Sequence, residues 1–370
     1  LQKLIDEGKL PRPRRGIRFL LVPEFLGTYA YLSTHADRIP GMLAGINLDM
    51  VGENQELCGS ALQVERPSQA VPGYVGDLAA MILRAIADDA SNFFGTARYA
   101  LFRHTVTSFS GGSDHWILSD PTIGVPSPML IQWPDLHYHT SSDTLDKVDP
   151  KMLQRVGTIT ATYAYFLANA SIAEARWLAS EIAAGFGPAL HDALARALSD
   201  EKAADRLEDL AEFHLASRIR DIEALAAYVQ TERRGEYQAV VDDLSREMRQ
   251  AATSQVRIAR LPRETSAAAT AAGAPNDSTA ASAELAKRAS EMVPERVYRG
   301  PAPLGLRGFL HLLSPQERED WRLFNKAHPD GSKIDSLLLY WADGRRDLLD
   351  IVRQVQLETG YFDLEFAVRY

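Results

Sequence analysis

Residues 43–53 have the sequence LAGINLDMVGE, in which an apolar run ends at an acidic residue. The segment 43–48 predicts a buried strand, because apolar residues follow one another without the alternation of a half-exposed strand. Two further apolar runs, IRFLLV at 17–22 and MLIQ at 129–132, predict strands of the same kind. We expect the three strands to be central neighbours in one sheet.

Helical patterns alternate with these strands. Four apolar residues recur at the spacing of one helix face, namely Val75, Leu78, Ile82 and Ile86. A second helix is predicted from Pro150 to about Asn169, because Asp149 is a good N-cap and proline suits the first helical position. Residues 1–170 therefore predict an α/β fold with a mixed, mostly parallel sheet flanked by helices.

The composition changes after this α/β segment. Residues 171–262 are rich in Ala, Leu, Glu and Arg and predict a module of long helices. Residues 263–290 predict a flexible linker, because the stretch 265–283 has no apolar side chain larger than alanine to offset its ordering entropy. Residues 291–370 predict a small, mainly helical domain, with Ser-Pro-Gln-Glu at 314–317 as a capping-box helix start.

Charge and composition limit the range of partners. The 40 basic and 49 acidic residues give a net charge of −9, and residues 301–370 carry 9 basic and 11 acidic residues, so we expect no nucleic-acid partner. No apolar stretch is long enough to predict a membrane partner. Leucine and isoleucine stripes in the helical module could pair between chains, which would give a homo-oligomer. Because Cys58 is the single cysteine, any metal must be held by histidine and carboxylates.

Three residues at predicted strand ends could carry chemistry. Glu24 follows the run 17–22, Asp49 ends the quoted stretch, and His139 lies a short aromatic turn after 129–132. Ligands in open α/β sheets bind where strands end. Each residue alone is explained as a loop cap, but one Glu, one Asp and one His together are a donor set that suits zinc. The set therefore predicts a metal site.

Four motifs carry a resemblance to a known family. In order and approximate spacing they are similar to the zinc exopeptidase family that contains bacterial leucyl aminopeptidases and the glutaminyl cyclases. The resemblance covers about residues 1–170, and the layout of the whole chain also resembles a bacterial branch in which an aminopeptidase-like domain carries a winged-helix-like C-terminal domain. The motifs are IRFLLVPEFLGTYAYL (17–32), INLDMVGE (46–53), GGSDHW (111–116) and HYHTSSDTLDKVDP (137–150).

The resemblance implies a metallo-aminopeptidase that hydrolyses N-terminal residues of peptides with a zinc-activated water. Asp49 and His139 match residues that each bind one of two zinc ions, and Asp114 matches an acidic position that contacts the substrate. The family has two adjacent glutamates after the first strand, a general base and a zinc ligand, whereas this chain offers only Glu24. The resemblance therefore leaves open which of the two roles Glu24 takes.

The family also has a histidine and a bridging aspartate before the strand that matches 17–22. The sixteen residues before this segment contain no histidine. We therefore expect a chain shortened at its start and inactive on its own, with site carboxylates whose proton affinity is raised because no cation neutralises them. Two alternatives remain: an inactive peptidase-like scaffold that binds a peptide or protein partner, and a glutaminyl cyclase-like activity.

Overall fold

The structure, a computed structural model, describes five stretches of the chain: residues 1–87, 90–198, 206–267, 280–301 and 311–370. Two compact units are formed, the first by Leu1–Ile182 with Arg220–Asp242 and the second by Ala183–Ile219 with Asp243–Tyr370. Residues of the predicted helical module, 171–262, contribute to both units. The division of the chain into four domains therefore stays a prediction.

The first unit contains the strands and six helices that lie within it. The strands are β1 (Asn47–Asp49), β2 (Ala61–Glu65), β3 (Ala90–Ser91), β4 (Arg98–Tyr99), β5 (His104–Thr107) and β6 (Met129–Trp133). The helices are α1 (Gln2–Asp6), α2 (Leu26–Thr34), α3 (Gln55–Cys58), α4 (Tyr74–Ala87), α5 (His115–Leu118) and α6 (Pro150–Asn169). Short 3-10 turns lie at Ala36–Gly41, Leu145–Lys147, Leu225–Tyr228 and Thr231–Arg233.

The remaining helices follow in chain order. They are α7 (Ile172–Leu198), α8 (Leu207–Ala224), α9 (Arg234–Ala267), α10 (Ala280–Ser290), α11 (Pro315–Ala327), α12 (Gly331–Trp341), α13 (Leu348–Thr359) and α14 (Leu364–Arg369). No helix in the described stretches is both long and apolar enough to cross a membrane.

The central sheet has the strand order β1-β6-β2-β5. β1 runs parallel to β6 and β2 runs parallel to β5, whereas β2 and β6 are antiparallel. Two of the three pairings are therefore parallel, and the predicted mixed, mostly parallel sheet is confirmed. The predicted strand at 129–132 lies in β6, whereas only Asn47 and Leu48 of the predicted buried strand 43–48 belong to β1, and Leu48 is 44% exposed. The two strands pair from Asn47 opposite Met129 to Asp49 opposite Ile131.

Apolar burial holds the helices against this sheet. Leu62, Val64 and Leu130 of the two middle strands are fully buried, and α4 packs against β2 and α6. Each such side chain stabilises the fold by about 1.5–3 kcal/mol relative to exposure. The predicted start of α6 is confirmed, because the Asp149 side chain accepts the backbone N–H of Lys151 at 2.9 Å.

The predicted strand at residues 17–22 is wrong. Phe19 and Leu21 are 80% and 97% exposed, and across the described chain the backbone of 17–22 pairs with no strand. A strand needs a neighbour to satisfy its N–H and C=O groups, and an apolar sequence does not supply one. The segment instead has no regular secondary structure, and β1 lies at an edge of the described sheet rather than at its centre.

The second half of the chain is helical where it is described. Residues 263–267 end α9 and 280–290 form α10, so these parts of the predicted linker are helix, and 268–279 lie outside the described residues. The capping box that begins α11 is confirmed, with both reciprocal hydrogen bonds formed between Ser314 and Glu317. The described part of 291–370 contains helices and no strand, so the winged-helix likeness stays a prediction.

Candidate active site

The first link in the site joins the segment before α2 to the start of α5. The backbone N–H of Phe25 donates to Oδ1 of Asp114 at 2.9 Å. Asp114 precedes the first turn of α5, and Phe25 packs edge-on against Trp116 at 6.0 Å between ring centroids. Asp114 therefore fixes the backbone next to Glu24. The sequence motif did not reveal this contact of Asp114.

A second link runs through Ser113. Its hydroxyl donates to the Glu24 carboxylate and accepts from Nδ2 of Asn47 at 2.7 Å. Asn47 belongs to β1 and lies two residues before Asp49, so the strand that ends at Asp49 also orients Glu24. Ser113 is buried, and its hydroxyl serves as a hydrogen-bonding group rather than as part of a loose glycine-rich turn.

Three of the predicted site residues, Asp49, Asp114 and His139, lie within electrostatic range of the fourth, Glu24. Partial burial raises the pKa of Glu24, the carboxylates of Asp49 and Asp114 raise it further, and the Ser113 hydrogen bond and His139 lower it. Loss of hydration is the largest cause of this rise, and the two neighbouring carboxylates add to it because like charges disfavour ionisation. The expected rise in proton affinity is thus found at Glu24.

Backbone strain marks the same positions. Phe25, Met50 and His139 have φ angles of 57°, 51° and 56°, and they are the non-glycine residues with positive φ in the described chain. Each one is a predicted site residue or its immediate neighbour. A bulky residue held in this region costs about 1–3 kcal/mol, and such strain concentrates at functional sites.

The loop that carries His139 is built from aromatic and hydroxyl contacts. The imidazole stacks on Tyr138 at 3.7 Å, and Tyr138 packs edge-on against Trp133 at the end of β6. His137 makes a different contact, from Nδ1 to the Ser142 hydroxyl at 3.1 Å. His139 is exposed and lies within electrostatic range of Glu24, whereas His137 contacts its own loop.

The donor types match zinc, but their placement does not complete a zinc site. Glu24, Asp49 and His139 supply the carboxylates and imidazole that zinc accepts. Among the described residues, however, no three His, Cys, Asp or Glu side chains are placed to hold one metal ion. This geometry therefore defines no catalytic step through a metal, and the ligand roles of these residues stay predictions.

Comparison with known proteins agrees with the motifs. Residues 4–164 match the sequence profile of peptidase family M28, and this segment holds all four predicted site residues. The match covers less than half of the 370-residue chain. No curated protein matches the chain.

Solved structures similar to part of the chain include two aminopeptidases. The zinc aminopeptidase from Bacillus subtilis is 23% identical with a TM-score of 0.30, covering 39% of this chain and 32% of that one. The aminopeptidase from Aneurinibacillus sp. strain AM-1 is 26% identical with a TM-score of 0.27, covering 39% and 30%. A protein described as a candidate peptidase from Clostridium acetobutylicum is 20% identical with a TM-score of 0.34, covering 46% and 36%. The chain spans about a third of the length of these structures.

Proposed function

We propose that this protein is a peptidase, and more specifically a zinc metallo-aminopeptidase that removes residues from the N-terminus of peptides. The observation that carries the proposal is the convergence of Glu24 with Asp49, Asp114 and His139, all within the segment that matches peptidase family M28. Support for the exopeptidase character comes from charge. Three carboxylates gathered in one place attract the α-ammonium group that only a peptide N-terminus carries.

Glu24 has the properties required of a group that moves protons. Its pKa is raised toward neutral pH, which suits a carboxylate that takes a proton from water and delivers it to a leaving amine. The Ser113 hydroxyl and the Phe25–Asp114 hydrogen bond hold it in place. Asp49 and His139 are the proposed zinc ligands, and zinc would supply a water of lowered pKa.

The test uses the purified protein supplied with zinc. Aminoacyl p-nitroanilides and their N-acetylated counterparts are compared as substrates, and bound zinc is measured by elemental analysis. We expect hydrolysis of the free-amine substrates alone. Asp49→Ala and His139→Ala should abolish hydrolysis and lower the zinc content, whereas the exposed controls Asp37→Ala and His191→Ala should change neither. Full zinc and full activity in both site variants would overturn the assignment.

A scaffold without catalysis is the second candidate. It is favoured by the lack, within the described stretches, of three side chains placed around one metal ion. In that case the protein would bind a free-amine peptide in a calorimetric titration, with an affinity that zinc chelation leaves unchanged, and would hydrolyse none. Chelation that abolishes turnover would exclude this candidate.

A further inference from the structure

A buried acid–imidazole pair lies behind the loop that leads into the site. Glu65 is the last residue of β2 and His115 the first of α5, and their Oε1 and Nε2 atoms are 2.8 Å apart. The two side chains are 5% and 0% exposed, so neither can reach a substrate. The proposed function uses neither residue.

The Glu65 carboxylate gathers hydrogen bonds from one short loop. Oε1 accepts the backbone N–H groups of Ser110 and Gly111 at 2.7 and 3.0 Å, and Oε2 accepts the Ser110 hydroxyl at 2.6 Å. With His115, four donors converge on one side chain. Gly111 and Gly112 have φ angles of 77° and 93°, a turn that glycine makes without strain, so the loop depends on external contacts for its shape.

The loop held in this way runs directly into Ser113 and Asp114. Those two residues hold the Glu24 carboxylate and the Phe25 N–H. Across the sheet, Glu65 pairs with Met129, and Met129 pairs with Asn47. Glu65 and Asn47 therefore lie in one row of residues, from which Glu65 bonds to Ser110 at the start of the loop and Asn47 bonds to Ser113 near its end. We infer that Glu65 is a positioning residue, which sets the loop 110–114 and through it the placement of Glu24.

Chemistry distinguishes this role from simple packing. A buried carboxylate is expensive unless several donors satisfy it, and an apolar side chain would fill the same space without that penalty. All the donors at Glu65 come from the loop or from the first residue of α5, so the carboxylate fixes the approach to Glu24. The expected effect of Glu65 on the reaction rate rests on the proposed function. The geometric part can be tested without activity.

The geometric test is amide hydrogen exchange on the 370-residue chain. Glu65→Leu should lower protection at Ser110, Gly111 and also Phe25 by about tenfold, the value of one hydrogen bond, while Val64 and Leu130 keep theirs. Glu65→Gln should preserve protection at all three, because its carbonyl oxygen still accepts the two N–H groups. Glu174 accepts the N–H and hydroxyl of Ser171 in the same way, so Glu174→Leu is the matched control and should leave the three amides unchanged.

The inference fails if Phe25 keeps its protection while Ser110 and Gly111 lose theirs, because the position of the loop would then not determine the backbone next to Glu24. If Glu65→Leu loses protection throughout the sheet, Glu65→Asp decides. It keeps the carboxyl group but withdraws it from the loop, and should lower protection at Ser110, Gly111 and Phe25 while the amides of the sheet keep theirs. Unchanged protection at those three residues would equally overturn the inference.

The kinetic test uses the same protein supplied with zinc. We expect Glu65→Leu to lower kcat by about 100-fold, the effect of a misplaced reacting group, with little change in KM. Glu65→Gln should restore most of the rate. A rise in KM with unchanged kcat would contradict positioning. If the wild-type protein hydrolyses no peptide, the proposed function fails, and the exchange result still decides whether Glu65 sets the loop.

Discussion

At the residue scale, the properties of Glu24 depend on a few identifiable neighbours. Burial raises its pKa, and Asp49 and Asp114 raise it further. The hydroxyl of Ser113 opposes them because a donated hydrogen bond favours the charged carboxylate, and His139 acts in the same direction. The acid and its modulators come from four separate segments of the chain. Single substitutions should therefore move the titration of Glu24 without touching its own side chain.

Ser113→Ala removes the donor that favours the ionised form of Glu24. The pKa of Glu24, already raised, should rise further, so that the carboxylate becomes protonated at higher pH than in the wild type. A carbon-13 NMR titration of the Glu24 carboxyl in the metal-free chain measures this. Ser108→Ala, at an exposed position in the same loop, is the control, and equal titration of all three proteins would contradict the assigned hydrogen bond.

Glu53 gives a second prediction at this scale. Burial raises its pKa to about 7, and Asp135 and Asp143 contribute in the same direction. Between its usual pKa and about 7, the folded protein retains a proton that the unfolded chain releases, so stability falls as pH rises through this window. Glu53→Gln removes the titrating group. It should stabilise the protein at about pH 8 by roughly 1–2 kcal/mol, after allowance for partial exposure, and change little near pH 5.

Urea denaturation at the two pH values measures the free energy of unfolding for this comparison. The exposed Glu247→Gln, on α9, is the matched control and should show no pH-dependent difference. A Glu53→Gln protein that is equally stable relative to wild type at both pH values would show that the carboxyl is not destabilised in the fold.

At the scale of elements, the sequence predicted best what is decided locally. The starts of α6 and α11 were predicted correctly because Asp149 and Ser314 bond to backbone groups within three residues of themselves. The segment 17–22 was predicted wrongly because a strand depends on a partner elsewhere in the chain. Ser113, Asn47 and Glu65 were missed for the same reason. Glu65 and His115 are separated by 50 residues, and no spacing rule connects them.

The N-cap of α6 offers an element-scale test. Asp149→Ala removes the side chain that accepts the Lys151 N–H, so α6 should lose about 1 kcal/mol of stability. Thermal unfolding followed by circular dichroism measures the change. Asp192→Ala makes the same substitution at an exposed position inside α7, where no cap is lost, and should leave the melting temperature the same or slightly higher. Equal effects of the two substitutions would show that capping does not account for the loss.

At the scale of the whole molecule, charge limits what the protein can bind. A net charge of −9 repels polyanions, and the C-terminal 70 residues from 301 to 370 share the negative balance, with 9 basic and 11 acidic residues. We therefore expect no binding to a short labelled DNA duplex in fluorescence anisotropy, at low or physiological salt. Tight binding that weakens steeply with added salt would reveal a basic surface that the composition conceals.

The unpaired segment 17–22 has a consequence for the colloidal behaviour of the protein. Its six residues combine high β-propensity with the single charge of Arg18, and Phe19 and Leu21 present their side chains to solvent. Such a hexapeptide is a nucleus for cross-β aggregation, and the edge of β1 that no described strand covers is a second template. The hexapeptide is flanked by residues that slow fibril growth, namely Arg14 and Arg15 before it and Pro23 after it. Concentrated solutions of this chain should therefore lose monomer through fibrils that begin at this hexapeptide, and a second charge within it should prolong their shelf life.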